Sequence, residues 1–295
     1  LDIAIMYHYI CDRKWNGIVP LTPNEFKEQI EFIATKYDIV SLDDLHKPKK
    51  LKPRCVLTFD DGTKDQYENA FAFLKQKGLP GYFTVMSGPL QKMRIPTFHL
   101  VHAILSFYSD KEIWEDINTE FVLPDIKERS NQYYSYEKNE FRRYNKYIFN
   151  FFLGEQDSRN YLLQKLLENY ESEQKFIQEY YISINEWVEM SKAGMTLGVH
   201  CVDHLPYNED PEAFYSNEIA PCVSFIEKSI NIKTEWYTPA FGGGEKSKQM
   251  INELEPILKE NGFKGGFTTS IGLNQGLNNF WLNRYDCMDI FPLKK

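Results

Sequence analysis

The sequence predicts an α/β protein with parallel strands and a helical insertion. Three observations carry this. Short apolar runs such as Ile3–Tyr9 and Cys55–Phe59 read as buried strands. Stretches of helical spacing that end at Gly78, Gly194 and Gly262 alternate with them. The alternation lapses between about residues 90 and 184, where the chain turns charged, aromatic and helical throughout.

The elements follow in order. Ile3–Tyr9 is the first strand. Thr22, Pro23 and Glu25 open a helix, with Thr22 as cap, Pro23 at the first helical position and Glu25 completing a capping box. Phe26, Ile30 and Ile33 then fall at helical spacing. Ile39–Val40 and the Ser41–Leu45 stretch form the next strand and turn. Cys55–Phe59 is a buried strand that stops abruptly at Asp60-Asp61-Gly62. A helix over Tyr67–Lys77 and a strand over Gly81–Val85 follow.

Within the insertion, helical patterns group Leu100, Val101, Ile104 and Leu105. Phe141, Tyr144, Ile148, Phe151 and Phe152 form a second group, and Leu162, Leu163, Leu166 and Leu167 a third. Beyond it, Ser183 and Glu186 cap a helix over Ile184–Ala193, and a strand over Met195–Val199 leads to His200. Next come a helix over Pro211–Ile230, a strand at Trp236–Thr238, a loop over Pro239–Gly244 and a helix over Ser247–Asn261. Short strands at Phe267–Thr269 and Trp281–Arg284 complete the chain. The expected organisation is one domain over residues 1–295, with the insertion inside it.

Composition narrows the function. With 295 residues, 42% of them hydrophobic, the chain is long enough for a substantial core. A net charge of −8 argues against nucleic acid, whose partners carry a basic stripe. Five cysteines without a CxxC pair argue against a disulfide framework or a zinc knuckle. No apolar run approaches the roughly 20 residues that span a bilayer. The first residues read as a strand rather than a signal peptide, so a cytoplasmic location is expected.

Two clusters carry chemistry: Thr58-Phe59-Asp60-Asp61-Gly62 and His200-Cys201-Val202-Asp203-His204. Each is expected just after a strand, where sites of parallel α/β folds gather. Either cluster alone has a plain reading, a turn with a capping Asp or two surface histidines. Together, one carboxylate and two imidazoles make a facial set that leaves positions open on a divalent metal. One Asp of the pair can ligate the ion, and the other can accept a proton from attacking water. The turn at Gly62 must then break strand alternation, so that both carboxylates reach the site.

These motifs resemble those of the polysaccharide deacetylase (NodB-homology) family of carbohydrate esterases. The resemblance runs over MYHYI at the start, TFDDG, GMTLGVHCVDH, TPAFGG and LNRYD, leaving out only the insertion. It implies a distorted (β/α) barrel with fewer than eight strands. It also implies that Asp60 is the catalytic base and that Asp61, His200 and His204 hold a divalent metal. Zinc is the first choice, with cobalt, nickel or iron tolerated by the same ligands. The implied substrate is an N-acylated, most simply N-acetylated, amino sugar or its polymer. A small or lipid-linked sugar, deacylated or deformylated, is the alternative, and a sugar-binding protein without turnover another. An iron oxygenase would use the same three ligands but has no use for the second Asp.

The chain departs from the family pattern twice. The third motif usually carries an Arg that tethers the base, whereas Thr238-Pro239-Ala240-Phe241-Gly242 has none; Arg284 is the expected substitute. The family's late Leu-x-His, whose His protonates the leaving amine, is absent, and no His follows His204; His8 is the expected substitute. Cys201 reads as a packing residue, Asp203 as a group that orients a ligand His, and His46 as surface. His99 and His102, in the insertion, could face the substrate but read more simply as structural.

Overall fold

The computed structural model describes the chain except residues 13–17, 49–50, 243–245, 277–278, 292 and 294–295. Two compact units emerge. One contains Leu1–Asp12, Pro20–Lys92 and Gln178–Lys295; the other contains Met93–Ile177. Among the described residues no helix is long and apolar enough to cross a membrane.

The first unit is built on one sheet. Its strands are β1 (Ile3–Tyr7), β2 (Asp38–Ile39), β3 (Arg54–Phe59), β4 (Tyr82–Met86) and β5 (Thr196–Cys201), then β6 (Trp236–Tyr237), β7 (Gly265–Phe267), β8 (Trp281–Leu282) and β9 (Tyr285–Asp286). Every pairing is parallel, in the order β8-β7-β6-β5-β4-β3-β1-β9, with β2 added beside β3. Only Asn283 and Arg284 separate β8 from β9, although these two strands lie at opposite ends of that order. One short segment therefore brings the two edges together. With β2 set aside and β8–β9 counted once, seven strands go round, which is the distorted barrel of fewer than eight strands that the motifs implied.

Strand alternation divides the side chains into two sets. Ile5, Tyr7, Leu57, Phe59, Phe83 and Val85 pack outward with helix residues Phe26, Ile30 and Leu74. Tyr7, Phe59 and Phe83 stand in register on β1, β3 and β4 and stack at centroid distances of 5.1 and 4.3 Å. Ala4, Val56, Tyr82, Trp236, Phe267 and Leu282 form the inner cluster. This inner set is the floor on which the site stands.

The helix Pro23–Lys36 starts with the expected capping box of Thr22 and Glu25, and Ile184–Lys192 with that of Ser183 and Glu186. Three sequence expectations shift. His200 lies inside β5 and not after it, because the strand continues to Cys201. The seventh strand is Gly265–Phe267 rather than Phe267–Thr269. Its glycines carry no strand signal, yet a Cβ on either would meet a tryptophan ring at 2.6 Å. The strand expected over Trp281–Arg284 ends at Leu282 as β8, and residues 283–284 lead to β9, which begins beyond it.

The second unit is helical. Its core includes Leu100, Val101, Ile104, Ile113, Ile117, Ile148, Phe149, Leu162 and Leu166, whereas Phe152 and Leu167 are exposed. A buried polar knot ties it together: Arg142 Nε and Asn139 Nδ2 donate to the Asp110 carboxylate, and Asn145 Nδ2 to its carbonyl.

Candidate functional site

Apart from His46, the residues singled out in the first unit sit at the C-terminal ends of the parallel strands or just beyond. Val56, Thr58 and Asp60 alternate inward along β3, so Asp60 continues the inner face. Asp61 would next point outward. It takes φ 75° instead, and Gly62 follows at φ 65°, which swings the second carboxylate back over the barrel mouth. Asp tolerates this left-handed conformation better than most residues. Gly62 is required twice over: by its φ, and because a Cβ there would lie 2.8 Å from Trp187.

His200 is delivered by β5. Pairing with β4 steps from Val85–Val199 to Met86–Cys201, so His200 is the extra residue of a β-bulge. Bulges of this kind re-aim side chains next to sites. Two residues earlier, Gly198 leaves room for Tyr82: a Cβ there would fall 2.1 Å from the phenol oxygen. His204 lies in the following loop at φ 57°, its ring 4.8 Å from that of Phe241.

Asp61, His200 and His204 converge, all three buried, with one ligand atom from each lying within 4.8 Å of the others. His200 Nε2 is 3.1 Å and His204 Nε2 3.6 Å from Asp61 Oδ1. His200 Nδ1–H donates to the Thr238 carbonyl at 2.7 Å, which fixes the tautomer of the neutral ring and turns the Nε2 lone pair toward Asp61. A lone pair facing a carboxylate at that distance needs a cation or a proton between them. Burial alone would lower the His200 pKa, but the hydrogen bond and charge of Asp61 outweigh it and raise it. The donor set therefore fits a divalent ion.

Asp60 stands beside this trio. Arg284, buried as an inward residue two positions beyond Leu282, donates from Nη1 to Asp60 Oδ1 at 2.8 Å. Its Nη1 also donates to Thr58 Oγ1 and its Nε to the Thr268 carbonyl. The other oxygen, Oδ2, faces His8 Nε2 at 3.9 Å, and the His8 side chain is 38% exposed. Burial pushes the Asp60 carboxyl up. The charge of Arg284, then those of His8 and His200, reverse this and hold it below its ordinary value.

The remaining sequence expectations resolve as follows. Cys201 packs with Met86 and Ala240. Asp203 pairs with Lys92 at 2.5 Å, so the ring-orienting partner of His200 is Thr238 instead. His46 is exposed. His99 and His102 belong to the second unit and contact the Phe98 ring. In the third-motif loop, Gly243 and Gly244 lie outside the described residues. Three contributors were not foreseen. The Thr238 carbonyl has no side-chain signature. Gln66 is buried and donates to the carbonyls of His8 and Asp60, tying together the exits of β1 and β3. Glu218 is buried beneath the His204 loop.

No protein-family model and no curated protein matches the sequence. Solved structures do match in fold. The deacetylase PplD of Streptococcus pyogenes, in complex with acetate, is 17% identical with a TM-score of 0.57, covering 97% of this chain and 91% of that one. IcaB from Ammonifex degensii is 14% identical with a TM-score of 0.57, covering 96% and 89%. A de-N-acetylase from Aggregatibacter actinomycetemcomitans is 13% identical with a TM-score of 0.54, covering 96% and 93%. With its all-parallel sheet, its closing β8–β9 segment and these matches over nearly its whole length, the chain has the polysaccharide-deacetylase fold.

Proposed function

We propose that this protein is a metal-dependent hydrolase that removes the N-acyl group, most simply acetyl, from an amino sugar or its polymer. The observation that carries the proposal is the division of labour between adjacent carboxylates. Asp61 faces two imidazole nitrogens, while Asp60 pairs with Arg284. A binding protein needs no such second carboxylate, and a site built only for metal would not spend a buried arginine on it.

Zinc is the ion this donor set suits first. When bound, a divalent cation there acidifies water and polarises the amide carbonyl. Asp60, kept ionised by Arg284, accepts a proton from the attacking water as its oxygen bonds to the carbonyl carbon. His8, partly exposed and 3.9 Å from Asp60, is the residue we assign to give a proton to the nitrogen as the C–N bond breaks. The products are a carboxylic acid and a free amino sugar. The fold shared with proteins named as deacetylases supports the same reading.

The test is release of acetate from N-acetylglucosamine, its oligomers and lipid-linked analogues, and of formate from N-formylated ones, with zinc added and after chelation. Release that disappears on chelation and returns with zinc is the expected result. No release from any substrate by protein shown to hold zinc contradicts the proposal.

A further inference from the structure

His204 stands in a backbone conformation that an L-residue does not choose unaided, with φ at 57°. Its neighbours show what holds it. The Asp203 and Leu205 N–H groups both donate to one atom, Glu218 Oε2, at 3.0 and 3.4 Å. A single carboxylate oxygen thus clamps the backbone on both sides of the histidine. Glu218 itself is buried, at 3% exposure. Burial is the largest influence on its carboxyl, which stands at about 7, and the two N–H bonds pull against that rise.

A glutamate is seldom placed so deep without reason; this one shares a helix face with Phe214 and Cys222, both buried and four residues to either side. Tyr215–Ile219 is a π-helical turn, followed one residue later by Pro221. Proline cannot donate to the carbonyl four residues back, and its ring crowds that carbonyl, so the helix widens just before it. Glu218 lies within this turn, beneath the loop. On the loop's other side, Lys92 pairs with Asp203 at 2.5 Å.

We propose that Glu218 is a positioning residue for the metal centre, fixing His204 by clamping residues 203 and 205. The inference rests on the metal-site reading of Asp61, His200 and His204. Nothing in it requires Glu218 to touch substrate or ion. The chemistry is that of an outer partner whose loss lowers metal affinity about 10- to 100-fold.

The experiment compares zinc affinity of wild type, Glu218→Gln and Glu218→Leu, by competition with a chromophoric chelator. It is run on metal-free protein at a temperature where each form is still folded. Gln keeps an acceptor oxygen without the charge, and Leu keeps bulk without an acceptor. The expected order of affinity is wild type, then Gln weaker by a few-fold, then Leu weaker by about 10- to 100-fold. In the cobalt-loaded forms, the visible absorption band should shift in Leu and revert toward wild type in Gln. If Leu does not fold, the Gln comparison decides alone: affinity equal to wild type overturns the inference. Lowered thermal stability with unchanged zinc affinity also overturns it, since that is the mark of a merely structural residue. A wild type that binds no zinc overturns the metal-site reading and this inference with it.

Discussion

Arg284 reaches Asp60 from across β1, its Nη1 donating to Oδ1 at 2.8 Å with both side chains almost fully buried. The pair is set by strand alternation on both sides: Asp60 follows Val56 and Thr58 inward, and Arg284 follows Leu282. Such a pair has little net value for stability while intact, but it is costly to break from one side.

Arg284→Met should therefore hurt twice. An uncompensated buried carboxylate costs about 3–5 kcal/mol of stability, measurable by urea unfolding. Without the guanidinium the Asp60 carboxyl also rises, so less of it is ionised, and turnover near neutral pH should fall at least about 100-fold. Removing both partners as Asp60→Asn/Arg284→Met should restore part of the lost stability and none of the turnover. Wild-type activity in the single variant would show that the pair plays no part in catalysis.

Zinc should stabilise the folded protein. At about 100 times its dissociation constant a ligand of the native state adds about 2.7 kcal/mol, here a rise in Tm of about 4 °C. Chelation should remove that increment, and His200→Ala should lack it from the outset. An equal zinc-induced rise in His200→Ala would place the ion elsewhere.

Gly198→Ala tests how the sheet aims His200. The added Cβ would fall 2.1 Å from the Tyr82 oxygen and 2.4 Å from its ring, in a fully buried position. Overpacking of this kind costs about 1–3 kcal/mol, and relief by moving β5 would displace His200. Lower Tm together with weaker zinc binding is expected. A lower Tm with zinc binding untouched would mean that the strand absorbs the strain before it reaches the histidine.

The convergence of Asp60, Asp61, His200 and His204 was legible in the sequence because each motif is local: Asp-Asp-Gly at the end of β3, and His-x-x-x-His starting at the end of β5. Arg284 and His8 were legible only as substitutes for family residues that this chain lacks. Arg284 lies between two strands of two residues each, too short for alternation to be read from them. Thr238 contributes a backbone carbonyl, which no side-chain pattern reveals. Glu218 is hidden differently. As an acidic residue it reads as solvated, although it shares the helix face of buried Phe214 and Cys222, four residues to either side. The strand at Gly265–Phe267 escaped because glycines chosen to fit under Trp236 and Trp281 have no strand propensity.

Asp65 gives a pH prediction away from the metal. Its carboxyl accepts the Ile10 N–H at 2.5 Å, and burial raises it to about 6 from an ordinary 3.8. The folded pKa is above the unfolded one, so the folded state binds this proton more tightly. Its ionisation costs stability progressively from about pH 4 to pH 6 and fully above that, on the order of 3 kcal/mol. Asp65→Asn keeps the acceptor and removes the titration. Its Tm relative to wild type should therefore rise between pH 4 and pH 8. A difference that stays constant over that range would contradict the assignment.

The most direct test of the account is Asp60→Asn, assayed for zinc content and for acetate release together. Asn keeps the shape, and still offers an oxygen to Arg284, but cannot take a proton from water. The account predicts zinc bound as in wild type and turnover lower by about 100- to 10,000-fold, the range a general base supplies. Full activity, or loss of zinc along with activity, would contradict the division of labour between Asp60 and Asp61.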